Sequence, residues 1–330
     1  MDQNTFESVV EHAKYAPSAH NAQPARWSLL GNGSILISAD LSCRLSVGDP
    51  DDRDLLVSCG AAIEGTILSL AKIGIGAEVD FLSTANNDDY RTIAVVTPKG
   101  SADPDDVKLS EYVLTRTTHR LGFIPSPAPK NLTGACVTIV KDVDQIDWVS
   151  NQIDIAASKI MKQAPFRAEL LTWMRLSKRD KRYHIDGLNK DALGLSWAVA
   201  KVTPLVLGTW IFRLLSICGL GPAVSGESTK SKGSAAILLF HWPKDRCMLE
   251  AGRLFYRHWL HVSSCGFAAW PAAALADDEE TASQIKDRFS LPKQHILFNA
   301  LRVGIANQTP PANTRMPVTA LILPKEGNQS

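Results

Sequence analysis

Apolar residues recur at helical spacing near the N-terminus: Phe6, Val9, Val10 and Ala13 share one face of a helix predicted over Phe6–Tyr15. The proline-bounded run 17–24 breaks that helix. Trp27–Leu30 and Ser34–Ser38 flank Gly31-Asn32-Gly33 and predict a β-hairpin. Asp49-Pro50-Asp51-Asp52 predicts a helix start, with carboxylates meeting the positive end of the helix dipole.

The helix that follows has a second version near the C-terminus. With Gly60 set on Gly252, Ile63 falls on Phe255, Ile67 on Trp259, Leu68 on Leu260, Leu70 on Val262 and Gly74 on Gly266. Steps of 3, 7 and 10 residues trace one helix face. The glycine at step 14 suits a helix C-cap. Each helix precedes a β-like run, Thr92–Val96 in one case and Ile296–Val303 in the other. Any two buried helices could share such a pattern, but the matching flanks favour an internal duplication.

The second half is longer. It predicts a strand at Cys136–Val140, a helix at Trp148–Lys162 and a strand at Ala235–His241, with a Pro-rich joint at 125–129 before them. The polar run Ser225–Ser234 precedes the last strand, and the tail Lys325–Ser330 is expected to fray. The longest apolar stretch, Val202–Leu220, carries Pro204, Gly208 and Arg213 and follows Lys201, so it reads as core or as a mobile cover over a pocket rather than a membrane span.

A chain of 330 residues can bury a large core, and its length suggests about two domains. A net charge of +1 gives no basic surface for nucleic acid. The N-terminus lacks an apolar signal segment, and none of the six cysteines forms a CxxC pair, so reduced buried thiols in the cytoplasm are expected.

Candidate chemistry is scattered. Ser18, Asn21 and Gln23 lie between Pro17 and Pro24, where a stiffened loop could point them at one edge of a planar ligand; a capped turn would use them equally well. Arg116, Thr118 and Arg120 offer forked cations and a hydroxyl suited to phosphate. Such trios are usually solvated surface, but Leu121-Gly122-Phe123 argues for a buried turn. His258 and His261 have no carboxylate partner nearby in sequence and read as packing residues; no metal site is expected. His184, in 182–188, stays undecided. GxSxG, Walker and HExxH motifs are absent, and Gly74-Ile75-Gly76 ends a helix rather than opening one.

Together these pieces resemble the nitroreductase-type flavoprotein superfamily. Ala16–Pro24 resembles its APSxxNxQP loop, Arg116–Arg120 its RxSxR phosphate motif, and Asn313–Val318 its C-terminal basic-x-Arg-x-Pro-Leu segment. Asp49-Pro50-x-x-Arg53-x-Leu55, 58–62, Asp186-Gly187-Leu188 and 251–253 are similar to the narrower Acg-like FMN-binding group. The likeness covers about 6–320. It implies an α+β fold of two tandem halves, 1–110 and 111–330, each with a mostly antiparallel sheet and flanking helices, and a lid inserted at about 166–222.

The superfamily is normally a homodimer with two FMN sites at its interface. In this chain one half carries the loop and the other carries the arginines, which implies a monomer that mimics a dimer and holds one FMN. By resemblance, Arg116, Thr118, Arg120 and Arg315 would hold the phosphate and ribityl chain. Pro17, Ser18, Asn21 and Gln23 would line the isoalloxazine, and the Trp270-Pro271 backbone would lie near flavin N5. The implied activity is hydride transfer on a small organic substrate under the lid, with NAD(P)H as a possible donor and no catalytic side chain required. The alternative is a flavin-sequestering protein with little turnover. Ala25 replaces a usual tryptophan, Asn313 a usual basic residue, and the lid is unusually apolar around 194–221. No nucleic acid and no stable membrane insertion are implied.

Overall fold

Strand order is the organising fact of the molecule, described here from a computed structural model. The structure describes residues 1–82, 89–130, 132–208, 233–309, 311 and 313–324. The apolar stretch beyond 208, most of the polar run 225–234 and the tail 325–330 lie outside these residues.

Helix α1 (Gln3–Ala13) opens on Asp2, whose carboxylate accepts from the Thr5 N–H. Strands β1 (Ala25–Leu29) and β2 (Ile35–Asp40) form the expected hairpin, with Leu29 opposite Ile35. Helix α2 (Arg53–Lys72) follows, then β3 (Ile75–Phe81), β4 (Tyr90–Ser101) and α3 (Pro104–Ser110). These strands make one antiparallel sheet in the order β1-β2-β4-β3. The chain then contributes β5 (Phe123–Ile124) and β6 (Val137–Val140). Next come α4 (Val143–Lys162), α5 (Ala164–Trp173), the short parallel pair β7 (Met174–Arg175) and β8 (Leu188–Asn189), and α6 (Trp197–Gly208). It closes with β9 (Ala236–Pro243), α7 (Met248–Ser264), β10 (Ala268–Pro271), α8 (Ala274–Asp277), α9 (Glu279–Arg288), β11 (His295–Ala306) and α10 (Val318–Leu321). The second antiparallel sheet runs β6-β9-β11-β10, with β5 added on β11.

The α+β class is as expected, and the two sheets share one plan. Each runs first-second-fourth-third strand, with a long helix between the second and third. Where the first sheet turns through Gly31-Asn32-Gly33, the second inserts everything from α4 to α6.

The repeated helices α2 and α7 cross at their matched glycines. A Cβ on Gly60 would lie 2.2 Å from the Leu249 carbonyl oxygen, and one on Gly252 would lie 2.2 Å from that of Val57. Val57 and Leu249 are themselves matched positions, so each helix meets the other through the same patch, as across a two-fold axis. Both helices end on a glycine with positive φ, Gly74 at 80° and Gly266 at 79°. Two isolated bridges join distant segments to the sheets: Thr118, beyond α3, to Ala269 of the second sheet, and Ile322, beyond β11, to Trp27 of the first.

Among the described residues only α2 is long and apolar enough to cross a membrane, and 89% of its apolar window is buried in this packing. The exposed face of α6 carries Trp197, Val202 and Leu205.

The helix start expected at 49–52 is found, with α2 beginning at Arg53; Asp49 accepts from the Leu55 N–H, while the Asp52 carboxylate pairs with Arg44 and Arg91. Three expectations need correction. The helix expected from Trp148 begins at Val143, capped by Asp142. The β-like run at 92–96 is the middle of β4, and β3 was not expected at all. Among the described residues the thiols are free but not all buried: Cys247 and Cys265 are exposed and Cys136 is half-buried.

Candidate functional site

The loop 17–24 is held in a shape that its residues do not favour alone. His20, Asn21 and Gln23 all have positive φ, at 48°, 55° and 52°. Non-glycine residues enter this region at a cost of order 1 kcal/mol each, so surrounding contacts must offset it. They are numerous. Ser18 Oγ accepts from the Gln23 N–H at 3.0 Å, and the Ala19 N–H donates to Ser58 Oγ on α2 at 3.1 Å. Gln23 Nε2 donates to the Ile185 carbonyl at 2.8 Å, while its Oε1 accepts from the Met316 N–H at 2.9 Å. Asn21 Nδ2 reaches the Gly187 carbonyl and Thr314 Oγ1, and its Oδ1 accepts from Arg315. Pro17, Ser18 and Gln23 border a cavity of about 20 Å³, together with Ala13, Trp27 and Ser58. A space of that size holds about one water.

Arg315 is the hub between the loop and the distant arginine motif. Its guanidinium donates to the Lys14 carbonyl at 2.8 Å, Asn21 Oδ1 at 3.0 Å and the Tyr15 carbonyl at 3.0 Å. Arg116 reaches the same Tyr15 carbonyl at 3.4 Å. It is 2% exposed, with its guanidinium carbon 4.4 Å from the Trp259 ring centre, and its Nε and Nη1 have no hydrogen-bond partner. Neither arginine pairs with a carboxylate among the described residues. Burial, and then the nearby Arg116, push the Arg315 pKa down to about 9. Burial pushes Arg116 down as well. A buried cation beside a half-buried one, with no counter-ion among the described residues, is costly, and an anion between them would relieve that cost.

The remaining predicted residues are placed differently. Arg120 turns away from Arg116 toward the Ala192 carbonyl at 3.5 Å. Thr118 is set by its bridge to Ala269, and the His119 N–H donates to the Ala269 carbonyl at 3.0 Å. That brings the arginine motif alongside Trp270 and Pro271 on β10. The Trp270 ring lies 3.6 Å from the Arg302 guanidinium carbon. Asn313 donates to the Arg116 carbonyl at 3.0 Å, so it orients the motif's backbone. His258 Nδ1 donates to its own helix's Leu254 carbonyl, and the ring packs edge-on against Phe240, as a packing residue should.

Sequence comparison bears on what this arrangement is. The chain is 33% identical over 129 residues to a Mycobacterium tuberculosis protein named "Putative NAD(P)H nitroreductase", covering 39% of this chain and 37% of that protein. It is 25% identical over 179 residues to "Putative NAD(P)H nitroreductase acg" of the same species, covering 52% and 54%. Over these stretches the chain is similar to proteins named as putative NAD(P)H nitroreductases. The matches span about half or less of those relatives' own length. No family model matches. Among solved structures, a putative nitroreductase from Anabaena variabilis overlaps 93% of this chain and 74% of its own, with a TM-score of 0.43 and 10% identity. The FMN-dependent nitroreductase NfnB from Mycobacterium smegmatis, in complex with NADPH, overlaps 64% and 93%, with a TM-score of 0.36 and 16% identity.

The segment after α5 packs against the loop. Asp186 is fully buried, accepts from Arg175 Nε at 2.9 Å and pairs with Arg182. Gly187 has φ +70° and packs so closely that a Cβ would lie 2.4 Å from the Trp173 carbonyl oxygen. The Gly187 N–H then donates to the Asn21 carbonyl at 3.2 Å. Farther out, Glu169 accepts from the Val47 and Gly48 N–H groups, and Trp173 packs on Ala22, Cys43 and Leu45.

Two contributors escaped the sequence reading. One is Tyr256 on α7, fully buried beside Arg116, its phenol pushed up to about 12 mainly by burial. The other is the row of backbone carbonyls at 14–16. Tyr256 stands four residues after Gly252, and the matched position after Gly60 is Glu64. Glu64 is also fully buried, and it pairs with Arg253 at 2.8 Å and with Arg257. The shared spacing after the two glycines was the available signal.

Proposed function

We propose that the chain is an FMN-dependent oxidoreductase of the nitroreductase type, with one FMN held where its two halves meet. The observation that carries this reading is the pair of buried Arg116 and half-buried Arg315, without a counter-ion among the described residues, at the foot of the 17–24 loop. The free donors Nε and Nη1 of Arg116 fit a phosphate. Ser18, Asn21 and Gln23 would line the flavin ring, Thr118 and Arg120 the ribityl side, and the Trp270–Pro271 backbone the reactive edge. Bound FMN supplies hydride transfer at N5, with NAD(P)H or an organic substrate as donor.

The chain's own residues bind, orient and exclude water. Arg315 ties the loop to the arginine motif, so ring-facing and phosphate-facing groups move as one unit. The segment 164–208 acts as a lid, restricting access to small substrates. The shared sheet order and the glycine crossing support the view that the halves stand in for two subunits. We place the protein in the cytoplasm, acting on a small molecule without nucleic acid or a membrane.

The test is the FMN content of the purified chain, followed by anaerobic reduction. One FMN per chain, bleached within seconds by NAD(P)H or a substrate and restored by an acceptor, is expected. The double variant Arg116→Ala, Arg315→Ala should lose it. Two FMN per chain, none, or full retention in that variant would overturn the reading. One FMN that no donor bleaches would favour the second reading, a flavin-sequestering protein; the lid's hold on Asn21 and Gln23 is the observation that favours it.

A further inference from the structure

At the far end of the second sheet, three strands bring a thiol and two imidazoles to one point. Cys136 stands just before β6, His241 lies on β9, and His295 begins β11. Their ligand atoms, one from each residue, all lie within 4.8 Å of one another. The sheet register makes this arrangement. Val137 faces Phe240, so Cys136 comes opposite His241, whose N–H donates to the Cys136 carbonyl at 3.0 Å. On the other side His241 faces Leu297, which puts His295 two residues along on the same face.

We infer that Cys136, His241 and His295 form a zinc-binding site with an open fourth position. The ligand set is one sulfur and two imidazole nitrogens, the mixture that suits Zn²⁺. Bond lengths of about 2.3 Å to sulfur and about 2.0 Å to nitrogen require ligand atoms roughly 3.3–3.6 Å apart in a tetrahedral site. The two Nδ1 atoms are 2.8 Å apart and must part by about half an ångström, and the thiol, within 4.8 Å of both imidazoles, must close by at most about 1.3 Å.

The outer partner is also present. Thr138 Oγ1 lies 3.4 Å from His241 Nε2, placed to accept the ring N–H in the tautomer that leaves the His241 Nδ1 lone pair toward His295. Cys136 itself has φ +58°, a conformation that a non-glycine residue rarely adopts, and this backbone sets the position of its side chain. The site is separate from the loop and the arginines. Along β11, His295 is seven residues from Arg302, which covers Trp270, a distance of about 23 Å at strand rise.

The test uses the full chain, reduced, stripped with chelator and titrated with Zn²⁺ by calorimetry, with metal content then measured on the desalted protein. One Zn²⁺ per chain is expected. His295→Ala, a half-buried change that leaves the core alone, and Cys136→Ser should each weaken binding more than about 100-fold, and Thr138→Val about 10–100-fold. Co²⁺ in place of Zn²⁺ should give a thiolate-to-metal absorption band that is missing in Cys136→Ser. A chain that takes up no stoichiometric Zn²⁺, or one that binds it equally well in His295→Ala and Cys136→Ser, would overturn the proposal. In that case the 2.8 Å contact is an ordinary hydrogen bond between two histidines.

Discussion

Replacing Gly60 or Gly252 by alanine sets two known effects against each other. In a helix interior, alanine is preferred over glycine by about 1 kcal/mol, so propensity alone predicts a more stable protein. At this crossing the new methyl would meet a backbone carbonyl oxygen at 2.2 Å, whereas ordinary contact begins near 3.4 Å. A backbone oxygen cannot swing aside as a side-chain end can, so the two helices must part by about an ångström. Parting them loosens the apolar contacts around Cys59, Ile63, Leu249 and Tyr256. Overpacking usually costs about 1–3 kcal/mol, and backbone-to-backbone clashes belong at the upper end. A net loss of about 2 kcal/mol is therefore expected for each variant. The pair together should lose less than the sum, because one separation accommodates both methyls. The measurement is a guanidinium titration followed by circular dichroism and tryptophan fluorescence together. Gly208→Ala is the control, since the nearest atom there is a side-chain carbon at 3.5 Å, and it should be neutral or slightly stabilising. If Gly60→Ala and Gly252→Ala match the control, the helices do not meet at the glycines and the two-fold arrangement falls.

Arg116→Met should stabilise the flavin-free chain by about 1–4 kcal/mol while weakening FMN binding at least 100-fold, because it removes a buried cation that lacks a counter-ion; a destabilised variant that still binds FMN would contradict this. His12, buried against Ser69, is pushed down to about 4 mainly by burial, so the unfolded chain takes up its proton first as pH falls. Stability should be complete above about pH 6.5 and fall through the window down to pH 4, by up to about 3 kcal/mol. His12→Asn should flatten that limb in urea titrations across pH, and an unchanged slope would rule out the assignment. Asp186→Asn leaves Arg175 buried without its carboxylate at a local cost of about 3–5 kcal/mol. Limited proteolysis should then cut within 164–208 well before the core opens, and a cleavage pattern like that of the parent would show that this pair does not fasten the lid.

Legibility in the sequence followed local chemistry. The hairpin at 25–40 announced itself through Gly31-Asn32-Gly33, and the ends of α2 and α7 through glycines that do adopt positive φ. The duplication was visible as matched apolar steps. Strand β3 escaped because Glu78 and Asp80 alternate with half-buried neighbours, so its pattern lacks a strong apolar face. The helix start at 49–52 was legible, but not that Asp52 would spend its carboxylate on Arg44 and Arg91 while Asp49 caps the Leu55 N–H. The candidate site was legible as three separate clusters, while their junction was not. Arg315 meets Asn21 across 294 positions and Gln23 meets Met316 across 293. Tyr256 was hidden for a different reason: an aromatic residue on a buried helix face looks like ordinary core until an arginine is found beside it.

The unlike pair Glu64 and Tyr256 has a consequence that two identical chains could not reach. In a symmetric dimer, whatever residue follows the crossing glycine by four places appears on both sides, so any substitution alters both sides equally. Here each position is encoded once. One side of the crossing carries a carboxylate already neutralised by Arg253 and Arg257, and the other carries a phenol beside arginines that still lack a counter-ion. The polarity of the two sides can drift independently, and because both crossing helices belong to one polypeptide, that asymmetry is not averaged out by exchange of subunits or diluted at low protein concentration.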